Sequence, residues 1–241
     1  MPLSGNWPEG VGRVVLPQVD STNAEAARRA VQFAGPEWIL TLRQTAGRGR
    51  RGRAWHDPTG NFAASYVFRP DLPPTQAALY SFVAALALQD ALIAATGRAE
   101  SFALKWPNDV LLHGAKLAGI LLESSGPCLA IGIGVNLCSH PHPEPDALRP
   151  VSLLGETGVR IGPEAFLDLL APAFARWQAQ FTTYGFASIS SAWLASAARL
   201  GENIVARLST TTVEGTFEGI DATGALVLRS AYGARAIPAA E

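Results

Sequence analysis

The chain has 241 residues, 48% of them apolar and 16% charged, with 23 Gly and 17 Pro. That composition is globular, spans one large or two ordinary domains, and excludes disordered and fibrous classes. Nineteen basic against twenty acidic side chains leave a net charge of -1, so no global positive field draws the surface to nucleic acid or an anionic membrane, and any basic site is local.

Residues 1–19 read as a loop and a short strand. Asp20, Ser21, Thr22 and Asn23 lead into an Ala-rich run over 24–34, and Thr22 with Glu25 forms a capping box, so the spacing predicts a helix there. Pro36 stops it, and EWILTLR over 37–43 has the length and bulky apolar residues of a short buried strand. The next stretch, QTAGRGRRGRAW over 44–55, holds nothing that can form a core. NFAASYVFR over 61–69 reads as a strand, and 75–96 as one long apolar helix. Its polar residues Gln76, Ser81, Gln89 and Asp90 point to a buried core helix rather than a membrane span. Further strands are expected at 102–106, 110–112, 117–123 and 129–137. His113, Gly114 and Ala115 make a tight hairpin connection that places Lys116 at the start of the returning strand. HPHPEP over 140–145 is a proline-rich loop; His140 and His142 could chelate a metal, but two histidines in an extended loop read first as solvated surface. Amphipathic helices are predicted over 163–181 and 188–200. Beyond Gly201, short runs at 204–208, 212–220 and 225–229 make an all-β module of about forty residues, too small to stand without packing on the rest.

GRGRRG over 47–52 matches the dinucleotide pattern G-x-G-x-x-G, but that fingerprint needs a helix directly behind it, and WHDPTG over 55–60 breaks any helix. A Rossmann site is therefore rejected. Arg48, Arg50, Arg51 and Arg53 repel one another and leave a mobile loop over 46–57 unless an anion neutralises them. Such a loop can fold over phosphate, with guanidinium groups binding oxygens bidentately and Gly letting backbone amides approach. A solvated basic turn or an RNA contact fits the loop alone equally well. Trp55, placed to stack on a purine, favours a nucleotide site, and ordinary packing also accounts for it. Seventeen of the nineteen basic residues are Arg, and the two lysines, Lys105 and Lys116, share one segment, where a compact ammonium does what a planar guanidinium cannot.

Taken in order, GRGRRGRAW over 47–55, KWPND over 105–109, KLAGI over 116–120 and GIGVN over 132–136 closely resemble the motifs of the biotin protein ligases. The resemblance runs from about Asp20 to Asn136, continues more loosely through Ser152, Leu153 and their helix, and takes in the C-terminal β module. It implies an α+β fold: a mixed sheet flanked by helices, related to the catalytic core of class II aminoacyl-tRNA synthetases, over residues 1–200, with a small SH3-like barrel over 201–241. One departure stands. The chain stops at Glu241, where the family's barrel runs through a complete last strand, which leaves the module's completeness open.

The resemblance further implies that biotin is activated with ATP to biotinyl-5'-AMP, releasing pyrophosphate, and that the biotinyl group passes to one lysine of a biotin carboxyl carrier protein of the acetyl-CoA carboxylase type. By resemblance the ammonium of Lys116 sits between the biotin carboxylate and the α-phosphate; alone, it reads as a surface lysine at a hairpin end. Arg48, Arg50 and Arg53 would hold phosphate and carboxylate oxygens, and Arg51 takes no assignment. The implied biotin pocket has Ser21, Thr22, Asn23 and Gln44 hydrogen bonding at the ureido ring, with Arg48, Arg50 and Lys116 near the carboxylate and Gly49 and Gly119 leaving room. Ser21 and Thr22 also read as helix caps, and both roles can coexist. The nucleotide side takes Arg50, Arg53, Trp55, Lys105, Asn108 and Asn136. Asp109 either orients the acceptor amine or helps to bind magnesium; turn chemistry also explains the Asn108 and Asp109 pair. The second step needs an unprotonated amine, so a carboxylate or a water chain must accept its proton.

Two other readings compete: a lipoate ligase of the same fold, and a module that grips single-stranded nucleic acid with the Arg loop and Trp55. Low net charge and the absence of a second basic cluster weigh against the latter. Some relatives carry an N-terminal helix-turn-helix domain. The roughly nineteen residues before Asp20 are too few for one, so DNA binding of that kind is not expected. Cys128 and Cys138 lack a C-x-x-C spacing and no secretory leader is apparent, so the chain is expected in the cytoplasm, off the membrane, as a monomer or homodimer.

Overall fold

The structure, a computed structural model, describes residues 7–56, 58–145, 147–207 and 212–238. Strand β1 (Gly12–Leu16) precedes α1 (Thr22–Ala30), β2 (Glu37–Thr41), a single 3-10 turn at Arg50–Gly52, and β3 (Phe62–Phe68). Then come α2 (Pro74–Ala77), α3 (Tyr80–Thr96), β4 (Phe102–Lys105), β5 (Asp109–Leu112), β6 (Ala115–Ser125), β7 (Cys128–Val135), α4 (Leu153–Thr157), α5 (Pro163–Tyr184) and α6 (Phe186–Ala195). The chain continues through β8 (Asn203–Arg207), β9 (Thr212–Ile220), β10 (Leu226–Ser230) and β11 (Gly233–Ile237).

The first seven strands form one mixed sheet in the order β1-β2-β3-β7-β6-β5-β4, with β1 and β2 parallel and the other neighbours antiparallel. Alternation along each strand sorts the residues into two layers. On β7, Leu129, Ile131, Ile133 and Val135 enter the main core with α3 and α5. Cys128 and Ala130 face the other way, into a small core under α1 with Ala26, Ala30, Ile39 and Val67. Gly132 and Gly134 continue that second face. Helix α1 packs over β2, β3 and β7 and reaches the edge of β6; beyond it the same face opens into a cavity.

The expected mixed sheet with flanking helices is observed, and α3 is the buried core helix the sequence predicts. Local boundaries differ. Residues 75–96 are not one helix: a turn at Ala78 and Leu79 separates α2 from α3 and lets Leu79 and Tyr80, adjacent in sequence, both reach the core. The capping box at Thr22 does not form. Ser21 is the residue before the helix, and the hydroxyl of Thr22, in its first turn, lies 3.3 Å from Gln44 Oε1 and 2.8 Å from Ser65 Oγ, while Glu25 pairs with Arg28 and Arg29. The helix stops at Ala30, since Val31 already points into solvent. His113 (φ 50) and Gly114 (φ 77) alone make the hairpin turn, both in the left-handed region that a two-residue primed turn requires. Ala115 already belongs to β6. The second C-terminal helix starts at Phe186 and ends at Ala195, ahead of the expected 188–200.

Strands β8 to β11 make an antiparallel sheet in the order β11-β10-β9-β8. The sequence assigns no strand at β11, because GARAI has one bulky apolar residue, Ile237, and that residue is buried. As expected for so small a module, Phe217, Leu226, Leu228 and Ile237 pack into the main core, and Trp106 Nε1 donates to Gly224 O at 3.0 Å. The predicted strand end at Leu208 and loop residue 57 lie outside the described residues. No helix among those described is long and apolar enough to cross a membrane.

Candidate active site

A cavity of about 1030 Å3 opens beside α1 on the second face of the sheet. Every residue that the resemblance assigns to a role lines it: Ser21, Thr22, Asn23, Gln44, Arg48, Gly49, Arg50, Arg53, Trp55, Lys105, Asn108, Asp109, Lys116, Gly119 and Asn136. Arg51, unassigned from the sequence, lines it too.

A bulge in β6 is what brings the lysine in. Residues three apart on a regular strand face opposite sides, so Lys116 and Gly119 would be separated. Here Leu111 pairs with Lys116 but Val110 pairs with Ala118, so Leu117 is an extra residue and Lys116 returns to the face of Gly119. The backbone of Lys116 is held from its other side, donating to Arg149 O at 2.8 Å and accepting from Val151 N–H at 2.9 Å. Its Nζ lies 2.6 Å from Asp109 Oδ1. The contact is a close ion pair on the wall of the cavity. The carboxylate thus steadies an ammonium that has three donors, more than this one contact takes up.

The Arg loop is a small hairpin. Arg48 bridges Ala54, Gly49 N–H donates to Arg53 O at 2.7 Å, and Trp55 N–H donates to Gly47 O at 2.9 Å. A side chain at Gly47 would put its Cβ 2.8 Å from Trp55 O, so this closure needs glycine. Arg48 is neutralised by Glu123, with Nη2 3.1 Å from Oε1. The indole of Trp55 rests on a floor of glycines: a Cβ on Gly134 would come 2.4 Å from its Cε2, and one on Gly119 3.4 Å from its Cζ3. Its Nε1 is buried without a partner, and Lys116 Nζ stands 6.0 Å from the ring centre.

At the far end of the cavity lies a polar cluster. Thr22 N–H donates to Gln44 Oε1 at 2.9 Å, and Asn23 Nδ2 donates to Glu123 Oε2 at 2.7 Å. Just outside, Ser21 N–H donates to the Asp20 carboxylate at 2.8 Å. The hydrogen bond from the Arg28 guanidinium holds the Asp20 carboxyl down at about 2, from an ordinary 3.8. Ser65 and Glu123 belong to this cluster and escaped the sequence analysis; a lone serine in the apolar run FAASYVF was the one signal for the first. The C-terminal module also reaches the cavity through Ile204, Val205 and Phe217.

Asn108 spends its amide on Ile120 O at 2.6 Å. Asn136 donates to Val151 O at 3.0 Å and leaves its Oδ1 buried and unpaired. His140 and His142 are exposed, as expected. Among the described residues no group of three or more His, Cys, Asp or Glu could hold a metal.

The model of the biotin/lipoate A/B protein ligase family matches residues 15–136, and that of the biotin protein ligase C-terminal domain matches residues 200–241. The chain belongs to the biotin/lipoate A/B protein ligase family. Among its relatives is a biotin–(acetyl-CoA-carboxylase) ligase of Paracoccus denitrificans, 59% identical across 94% of this chain and 98% of the relative. The bifunctional ligase/repressor BirA of Bacillus subtilis (strain 168) is 32% identical across 95% of this chain and 73% of its own. The solved biotin protein ligase of Aquifex aeolicus in complex with biotin and ATP matches with a TM-score of 0.83 and 27% identity, covering 94% of this chain and 95% of that one. As a family member, this chain places all four motifs named in the sequence around one cavity.

Proposed function

We infer that the chain is a biotin protein ligase. It activates biotin with ATP to biotinyl-5'-AMP and pyrophosphate, then transfers the biotinyl group to a lysine of the biotin carboxyl carrier protein of acetyl-CoA carboxylase. The observation that carries this reading is the layout of the cavity: a cluster of hydroxyl and amide groups backed by Glu123 at one end, Lys116 at the bulge, and Arg48, Arg50 and Arg53 on the loop that overhangs it.

The first step brings two anions together. Unit charges about 4 Å apart repel by about 4 kcal/mol at an effective dielectric of about 20, and more in a drier site. Lys116, between the biotin carboxylate and the α-phosphate, offsets that repulsion and aligns the two for attack. Arg48, Arg50 and Arg53 hold phosphate and carboxylate oxygens, and closure of their hairpin keeps water from the mixed anhydride. The nucleotide lies along Trp55, Lys105, Asn108 and Asn136, where the unpaired Oδ1 of Asn136 offers an acceptor. Magnesium would be an ion carried by the triphosphate, with most ligands from phosphate and water and the Asp109 carboxylate, once Lys116 turns to the two anions, as the protein's contribution. Bound there it would supply charge neutralisation for the departing pyrophosphate. In the second step Asp109 is the carboxylate placed to take the proton of the incoming amine.

Ser21, Thr22, Asn23 and Gln44 suit the urea of biotin. The dithiolane of lipoate has neither N–H nor carbonyl and forgoes the hydrogen bonds that a urea makes with such a polar lining. A base-stacking role on single-stranded nucleic acid is disfavoured by the net charge of -1 and the absence of a second basic cluster in the sequence. We divide the chain at residue 200 into a catalytic part and a C-terminal module that shapes the cavity mouth. Two free cysteines, Cys128 and Cys138, suit the reducing cytoplasm. Mass spectrometry of a carrier domain incubated with this protein, ATP and biotin tests the reading. One added biotinyl group, dependent on both small molecules, is expected; an unmodified carrier, or one modified with lipoate instead, overturns it.

A further inference from the structure

Four side chains behind the polar end of the cavity form a chain whose proton positions are fixed by chemistry. Asn23 faces the Glu123 carboxylate at 2.7 Å and Leu121 O at 3.3 Å. Both are acceptors, so the amide must present its NH2 to them and its Oδ1 the other way. That Oδ1 lies 2.6 Å from Ser65 Oγ and can only accept, so the single Ser65 proton goes to it. Ser65 Oγ then meets Thr22 Oγ1 at 2.8 Å as an acceptor, against 3.3 Å from Thr22 Oγ1 to Gln44 Oε1. The shorter contact takes the Thr22 proton. Ser65 is fully buried and Asn23 and Thr22 are each 4% exposed, so solvent has little access to the chain. Asn23 is also wedged in place: a Cβ on Gly132 would stand 2.5 Å from its Oδ1.

We propose that Glu123 and Ser65 are positioning residues that set the polarity of the urea pocket, making Thr22 Oγ1 a dedicated acceptor for one ring N–H of the ligand. The inference rests on the biotin ligase reading and deepens it. Glu123 supplies the anion that orients Asn23, and Ser65 relays that orientation through the sheet to Thr22. Neither needs to touch biotin. The same carboxylate holds Arg48, which ties the direction of the pocket to the docking of the Arg loop.

The probes are biotin and its two cyclic carbamate analogues, each with one ring N–H replaced by oxygen. A ring oxygen set against an acceptor-only Thr22 loses the hydrogen bond and gains a repulsion. Calorimetry on the wild-type protein is therefore expected to show one analogue binding at least about a hundredfold more weakly than biotin. In Ser65→Ala the Thr22 proton is released and can turn to the ring oxygen, so the ratio falls below about tenfold. Glu123→Leu, at a partly exposed strand position, frees Asn23 to reverse and narrows the ratio in the same way. A purely structural role would weaken all three ligands together and leave the ratio alone. Biotin-dependent pyrophosphate release with a ratio unchanged in both variants overturns this inference, whereas a wild-type protein that binds no biotin overturns the ligase reading itself.

Discussion

Asp20 and Gly134 act on the pocket from positions that no reacting atom occupies. Asp20 receives the Ser21 N–H at the mouth of α1 and pairs with Arg28 at 2.7 Å. Because its folded pKa lies below its ordinary value, the stability it contributes is complete above 3.8 and fades as pH falls toward about 2. Asp20→Asn should lower the melting temperature at neutral pH, with the gap to wild type narrowing as the pH is taken below 3.8; a gap independent of pH contradicts this. The group is about half exposed, so the effect is small. Gly134→Ala puts a methyl 2.4 Å from Trp55 Cε2 and must lift the indole from its seat. Loss of one stacking platform is worth about 1–3 kcal/mol, so ATP should bind about tenfold more weakly by calorimetry; unaltered affinity removes Trp55 from the nucleotide site. Lys116, Trp55 and the arginines were legible because unusual residue types cluster in sequence. Ser65 and Glu123 were not, since one serine and one glutamate become partners of Asn23 only through strand register.

At the scale of elements, most helices and strands followed from apolar spacing, with errors of a few residues where tertiary contacts moved an end. The bulge at Leu117 had no signature in KLAGI, although it alone puts Lys116 and Gly119 on one face. The loop over 47–55 was legible as cationic, but its hairpin pairing and its Glu123 anchor come from the sheet beneath it. Its exposed tip at Arg51 and Arg53 offers sites to trypsin. Biotin with ATP should slow cleavage there by at least about tenfold, because opening must then compete with ligand-held closure. Equal cleavage with and without the two ligands contradicts a closing loop.

Over the whole molecule, the strand order β3-β7-β6 and the burial of the C-terminal sheet against the catalytic core lay beyond sequence periodicity, which carries no long-range pairing. Phe217 is 2% exposed and joins the common core, so Phe217→Ala should cost about 3–5 kcal/mol and lower a single melting transition. Two separate transitions in the wild-type protein contradict a shared core. The central claim is that one ammonium lets two anions meet. Biotin-dependent pyrophosphate release measured for wild type and Lys116→Ala tests it most directly. The substituted side chain is about one-third exposed and its backbone bonds to Arg149 and Val151 remain, so the fold should persist by circular dichroism. The account predicts a fall in rate of about a hundredfold to a thousandfold; near-normal release from a folded Lys116→Ala protein contradicts it.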